Sequence, residues 1–478
     1  MNKQTRIEKI QVIIDKYKEN PFGKQEIPWE DSLKTMNVYK IPLACLVYNK
    51  YNGRILSRTQ SLENQKQKID AETNEGMALI EQLLWDSKPD RNKKTLKSIS
   101  DFGQEKVGII TKDGVIIDGN RRAMLLKKSG KYDYFKAVVL EVTSEENPIE
   151  IEKLETSYQM GEDEKLGYNP VEKYLKAKGL YQKLSTNKSN NDDIDKKAVK
   201  TIADWMGEQD SVVEDYLIIM ETMDDYLDYL EYNGIYTQLD GREDQFISLT
   251  KWLNTFYNKE SSKGFDGYKD IDVDDLKAIA YDYIRIKYEG KKFRYLAAGS
   301  KPNHFFGDKN IWGDFRDFHF ENKSKIYEEP IDRNSNNLHA HLDDRDKRFY
   351  EATTFGEKES FLDENVDSHY QQLKYNEASG APEKLVKTSF KALESINQKH
   401  KSFSNPIILE QVAKLNEFVT GMLQKKSSLL LMEHVIDLLK SIKINEKEIS
   451  DELFAKTKEI QSIAYNLGKI IKRNTHTD

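Results

Sequence analysis

Lys112–Lys128 reads K-D-G-V-I-I-D-G-N-R-R-A-M-L-L-K-K. Asp113-Gly114 is a turn signal, Val115-Ile116-Ile117 a short β-branched run and Asp118-Gly119-Asn120 a second turn. Arg121 then opens an amphipathic helix with Ala123, Leu125 and Leu126 on one side. The stretch predicts a strand, a tight turn and a helix. Gly119 can take a positive φ and lets a ligand approach the backbone. The amides at the helix start attract anions, and the adjacent guanidiniums of Arg121 and Arg122 offer forked donors suited to phosphate. Two cations at a helix N-terminus oppose the helix dipole, so the pair calls for an anion or a carboxylate beside it. The competing reading is a hairpin leading into a surface helix with both arginines solvated.

The chain has 478 residues, a length that suggests about three domains. Hydrophobic residues make up 38% and charged residues 32%, which describes a soluble, highly charged globular protein and excludes a disordered one. A single cysteine, Cys45, excludes an internal disulfide and a cysteine-cluster metal site and fits a reducing compartment. With neither a signal peptide nor an apolar run long enough for a bilayer, the expected location is the cytoplasm, with no membrane partner. A net charge of -7 argues against a wholly basic nucleic-acid coat protein while leaving room for a local basic surface.

Upstream of the turn, Thr5–Tyr17 reads as a polar helix, followed by a loop carrying Asn20-Pro21 and Ile27-Pro28-Trp29. Residues 39–48 give a short strand and turn, and residues 61–85 one helix with apolar spacing at Ile69, Met77, Ile80, Leu83 and Leu84. Asp90–Lys94 reads as a charged loop, Leu96, Ile99 and Phe102 as a short helix ending near Gly103, and Val107–Thr111 as a strand. Ala137–Val142 is a third strand, so strands and helices alternate as in a small mixed α/β domain.

Beyond Asn147 the pattern turns helical. Pro170-Val171-Glu172 starts a helix, and Ala198–Met206, Gly207–Asp210 and Ser211–Met220 have helix-turn-helix spacing, which any helical domain also shows. Residues 241–330 are dense in aromatics with interleaved cations such as Lys287, Lys291, Lys292 and Arg294; a packed core is the preferred reading over a base-stacking surface. His339-Ala340-His341 with Asp343, Asp344 and Asp346 lacks diagnostic metal spacing and reads as a solvated loop. The fold class is therefore α+β, a small mixed α/β domain followed by mainly α-helical domains. The expected divisions are a helical extension at 1–38, the α/β domain at 39–146 and a helical domain at 147–240. An aromatic-rich helical region at 241–330, a polar linker-like region at 331–380 and a C-terminal helical region suited to self-association at 381–478 complete it.

Four stretches in order resemble the ParB family and the wider ParB and sulfiredoxin fold. Ile41–Arg54 resembles the family's first strand and N-x-x-N-x-R-type segment, and Leu96–Ile110 its helix, Gly turn and strand, without the usual proline after Gly103. Gly119-Asn120-Arg121-Arg122-Ala123 resembles the G-E-R-R phosphate motif with Asn120 in place of Glu. Leu154–Gln159 falls where E-N-x-x-R would lie: Glu155 is kept, while Thr156 and Gln159 replace Asn and Arg. Extra residues, Met160–Gly167, separate it from Asn169-Pro170-Val171-Glu172, which resembles the family's N-P-x-E. The resemblance spans roughly Tyr39 to Leu230 and implies a bound nucleoside triphosphate, CTP or ATP. Gly119, Asn120, Arg121, Arg122 and Arg54 would meet the phosphates, Gln104 the base, and Glu155 a magnesium ion (Mg2+).

In the family the helix pair at 198–230 would bind DNA, yet no Lys or Arg occurs between Lys200 and Arg242 while Asp204, Glu208, Asp210, Glu214, Asp215, Glu221 and others are acidic. DNA affinity draws on neutralised phosphates, so DNA contact is expected from elsewhere: Lys287–Arg294, or Lys425, Lys426, Lys469, Lys472 and Arg473. Three functions follow. The first is a triphosphate-controlled switch or clamp, a homodimer acting in plasmid or chromosome maintenance or phage defence. The second is a magnesium-dependent nuclease or nucleoside triphosphatase with Asp118 and Glu155 as catalytic carboxylates beside the arginines. The third is a non-catalytic interaction scaffold.

Overall fold

The computed structural model describes residues 1–65, 67–158, 169–185, 194–258, 260–288, 290–301, 303–333, 335, 338–354, 359–379, 382–424, 427–444 and 449–474. Two units are separate by their contacts, residues 1–380 and 381–478. The first unit opens with α1 (Lys3–Tyr17) and the hairpin β1 (Lys24–Trp29) and β2 (Ser32–Pro42). Then come α2 (Leu56–Asn64), α3 (Asn74–Ser87), α4 (Pro89–Phe102), β3 (Gly108–Ile110), β4 (Ile116–Asp118), α5 (Asn120–Ser129) and β5 (Tyr134–Val139). The sheet order is β1-β2-β5-β3-β4, with β3 parallel to β5 and the other pairs antiparallel. This is an α+β protein with a small mixed five-stranded sheet and many helices.

Alternation along the strands divides two cores. Tyr39, Ile41, Ile110, Ile116, Phe135, Ala137 and Val139 pack with α1, α3 and α5 residues on one face. Val38, Ile109, Ile117 and Val138 face the other way, onto Ile27, Trp29 and Ile151 and Leu154 of α6 (Pro148–Thr156). Phe135 is fully buried and lies against both Gly108 and Gly119; a β-carbon at Gly119 would come within 2.6 Å of its ring. Gly119 therefore serves twice, through a φ of 106° and through close approach.

The rest of the first unit is helical: α7 (Pro170–Leu184), α8 (Lys196–Met206), α9 (Asp210–Tyr229), α10 (Glu243–Phe256), α11 (Asp270–Arg285), α12 (Lys291–Arg294), α13 (Lys309–Lys323), α14 (Leu338–Ala352) and α15 (Phe361–Ser379). One core runs from Leu56 through Val171, Tyr226, Phe246, Tyr283 and Phe315 to Phe349 and Leu373. The aromatics of 241–330 fill it, as their density predicted. Residues 331–380, expected to be linker-like, instead carry α14 and α15, whose Leu338, Leu342, Phe349, Phe361 and Val366 are buried in it. The His339–Asp346 stretch lies on α14, not in a loop.

Three local expectations change. Residues 24–35, expected as loop, belong to a hairpin that runs on into the expected strand from Tyr39, because Glu30 and Asp31 both take positive φ, 51° and 59°, in a two-residue turn. Residues 61–85 form two helices, since Thr73 caps α3 by accepting from Gly76 N at 3.0 Å. Asp90–Lys94 belongs to α4, which starts on Pro89.

The second unit comprises α16 (Pro382–Glu394), α17 (Pro406–Gln424), α18 (Ser428–Ser441) and α19 (Asp451–Asn474). Many of its apolar residues, Phe418, Leu429 and Ile470 among them, are exposed. Lys469, Lys472 and Arg473 lie toward the end of α19, whereas Lys425 and Lys426 fall outside the described residues. Among the described residues no helix is long and apolar enough to cross a membrane.

Candidate functional site

β4 ends at Asp118, Gly119 turns the chain in the left-handed region, and α5 begins at Asn120 with no side chain capping its first amides. In front of them opens a cavity of about 580 Å³, within the usual range for small-molecule sites. Among the described residues, Arg54, Arg91, Lys94, Lys106, Arg121 and Arg122 line it, with Glu105 and Asp118 of opposite sign. Among these described lining residues cations outnumber carboxylates six to two, in a chain whose net charge is -7.

The two motif arginines are held differently. Arg122 pairs with Asp118 and donates from Nη1 to the Lys106 carbonyl at 2.7 Å and the Val107 carbonyl at 3.0 Å. The Asp118 carboxylate thus offsets the charge that the helix dipole opposes. Arg121 donates from Nε to Asn92 Oδ1 and from Nη2 to Thr95 Oγ1 at 3.4 Å, so α4 sets its direction. Arg54 and Arg121 also form a wall of an adjoining chamber of about 50 Å³, whose other residues include Arg58, Lys88 and Glu172. Burial pushes the Glu172 carboxyl up to about 7, against the hydrogen bonds it accepts from Ser57 N at 2.9 Å and Ser57 Oγ at 2.7 Å and the nearby charge of Arg58.

The structure gathers Arg54, Asp118, Gly119, Asn120, Arg121 and Arg122 around one cavity. Asn120, however, turns its side chain into the fold: Oδ1 accepts from Asn49 N at 2.9 Å and Nδ2 donates to the Ile116 carbonyl at 3.2 Å. Gln104 and Glu155 are not among the cavity's lining residues. The Gln104 amide donates to the Lys106 and Lys136 carbonyls at 2.9 and 2.7 Å and accepts from Lys136 N at 2.6 Å, a bridge between backbone segments. Glu155 is buried, accepts from Asn49 Nδ2 at 3.0 Å and faces Lys176 Nζ at 3.5 Å. Burial alone would lower the Lys176 amine, but Glu155 and Glu152 together hold it above its usual value. A magnesium ion at Glu155 would have to replace that ammonium, so the residues here do not fit one. Asp113, a further carboxylate near the motif, accepts instead from Ser144 N and Oγ at 3.0 and 2.9 Å. Gln159 lies outside the described residues.

Arg91, Lys94 and Lys106 were missed by sequence reading. The signal for the first two was Pro89 starting a helix, which places Arg91 and Lys94 at i and i+3 on one face; Lys106 lies beyond that helix. Among the described residues these three cations make no ion pair. The helix pair downstream has the expected form, α8 and α9 joined through Gly207 at a φ of 67°, and its acidic residues are partly paired, as in Lys178–Asp224 and Lys277–Asp225. No family model, curated protein or solved structure matches the chain.

Proposed function

We propose that the cavity at the start of α5 binds the phosphates of a nucleoside triphosphate, and that the protein is a ParB-like, nucleotide-controlled switch or clamp in a DNA-related process. The observation that carries this reading is the convergence of six cationic side chains on an uncapped helix start in a cavity of nucleotide size. Arg121 and Arg54, shared by both chambers, are positioned to meet the phosphate chain, while the main cavity leaves room for base and sugar. Recognition is favoured over hydrolysis because Asp118 is engaged by Arg122 and is therefore a poor general base.

Isothermal titration of the full chain with CTP, ATP and GTP tests the proposal. At least one triphosphate is expected to bind, and Arg121→Ala to weaken that binding about tenfold or more, the scale of losing one charged hydrogen bond. No binding by any of the three, or an Arg121→Ala variant that binds like the parent, overturns it.

A further inference from the structure

We infer that the outer face of α4 is a docking surface for the phosphate backbone of duplex DNA, formed by Arg91, Lys94, Lys97 and Lys106; this rests on the DNA-related reading given above. Arg91, Lys94 and Lys97 are exposed and stand three residues apart, so each neighbours the next along one ridge of the helix. The row advances about 9 Å along the helix axis and matches about two to three successive phosphates of one strand. Lys106 is exposed beyond the turn at Gly103 and lines the same cavity as Arg91 and Lys94, which places it on the same side of the molecule. Among the described residues none of these four makes an ion pair, and the pair on α4 is Lys93 with Asp90 at 3.8 Å.

The surroundings favour a polyanion. From Lys88 to Lys136 the chain holds 13 Lys and Arg against 6 Asp and Glu, in a molecule whose net charge is -7. Some of these cations pair outside the stretch, Lys112 with Glu146 and Lys127 with Glu81, while the four named above do not. The carboxylates of α4 itself, Asp90 and Asp101, sit at its two ends. A helix that lies on a bilayer needs an apolar face toward it. α4 instead turns Ile99 and Leu96 into the core and exposes one large apolar residue, Phe102. The other basic groups are more nearly matched: Lys292 pairs with Asp367 at 2.8 Å, and Arg294 shares a cleft with Glu243 and Asp244. On the C-terminal helices Lys414, Lys440 and Lys456 pair with Glu410, Asp437 and Glu459. α4 thus supplies the phosphate contacts that the acidic α8–α9 pair cannot.

Fluorescence anisotropy of a labelled DNA duplex, titrated with the full chain between about 50 and about 200 mM salt, is the test. Binding is expected with a slope of about −3 to −4 in log affinity against log salt, four phosphate contacts at about 0.9 each. Lys94→Ala/Lys97→Ala is expected to weaken binding about tenfold at the lower salt and to flatten the slope by about two, whatever the sequence of the duplex. Lys291→Ala/Arg294→Ala and Lys469→Ala/Arg473→Ala are expected to bind like the parent. No binding by the parent, an unchanged slope in the α4 variant, or a loss in either comparison variant in its place overturns the inference. Binding confined to an RNA duplex or to phosphatidylserine vesicles overturns it equally. The nucleotide reading stands or falls separately, on the triphosphate titration of Arg121→Ala: Lys97 is not among the described residues that line that cavity, and Arg121 is not part of the α4 row.

Discussion

Two groups of cations in this molecule have opposite fates. Arg242 and Arg285 are buried at 4% and 1% exposure, and each is matched: Arg285 Nε meets Asp346 Oδ1 at 2.8 Å and its Nη1 meets Glu328 at 2.7 Å, while Arg242 reaches Asp346 Oδ2 at 3.0 Å and three backbone carbonyls. Arg91, Lys94 and Lys106, around the cavity, are exposed and unmatched among the described residues. A buried charge must find its partner within the fold, whereas an exposed one can await a partner from solution. Charge count alone does not separate structure from recognition; pairing does.

The comparison can be broken at its structural end first. Arg285→Met keeps volume but removes one of the two guanidiniums that meet each of Asp346 and Glu328, leaving Arg242 and Arg345, and a loss of about 3 kcal/mol is expected in denaturant unfolding. A change under about 1 kcal/mol would show that the buried network is dispensable. Glu172, on the wall of the smaller chamber, gives an intermediate case with a defined pH dependence. Its folded value of about 7 lies above its ordinary 4.5, so the proton it retains stabilises the fold fully below pH 4.5, and that stability is lost as pH rises through 7. The difference corresponds to about 3 kcal/mol, and Glu172→Gln is expected to recover much of it at pH 8 and little at pH 5. Equal melting shifts at both pH values would remove burial as the cause. The smallest effect on stability belongs to Arg91→Ala/Lys94→Ala, expected within about 0.5 kcal/mol of the parent by thermal unfolding. A larger loss would place those cations with the structural group.

The turn at the centre of the site was legible because its signals are local: a β-branched run, a glycine able to take positive φ, and an amphipathic helix after it, seen as Ile116–Asp118, Gly119 and Asn120–Ser129. The β1–β2 hairpin was not, because its tight turn uses Glu30-Asp31 in place of the Asn-Gly or Asp-Gly that announces such turns. Arg91 and Lys94 were hidden for a related reason. A dense run of charge resembles a loop until Pro89 is recognised as the first residue of a helix. The roles expected of Gln104 and Glu155 depended on partners far along the chain, the Lys136 backbone and the Lys176 ammonium, which no local pattern announces. The core positions of α14 and α15 were similarly hidden, since their apolar residues are spaced among many charges.

The contact of Phe135 with Gly108 and Gly119 makes these three positions one heritable unit. A side chain added at either glycine enters the volume of the ring, so the turn at Gly119 and the central strand are expected to drift together over divergence. Relatives that replace Gly119 should carry a smaller residue at 135, and that paired exchange would mark lineages in which the turn and the strand beneath it have been rebuilt together.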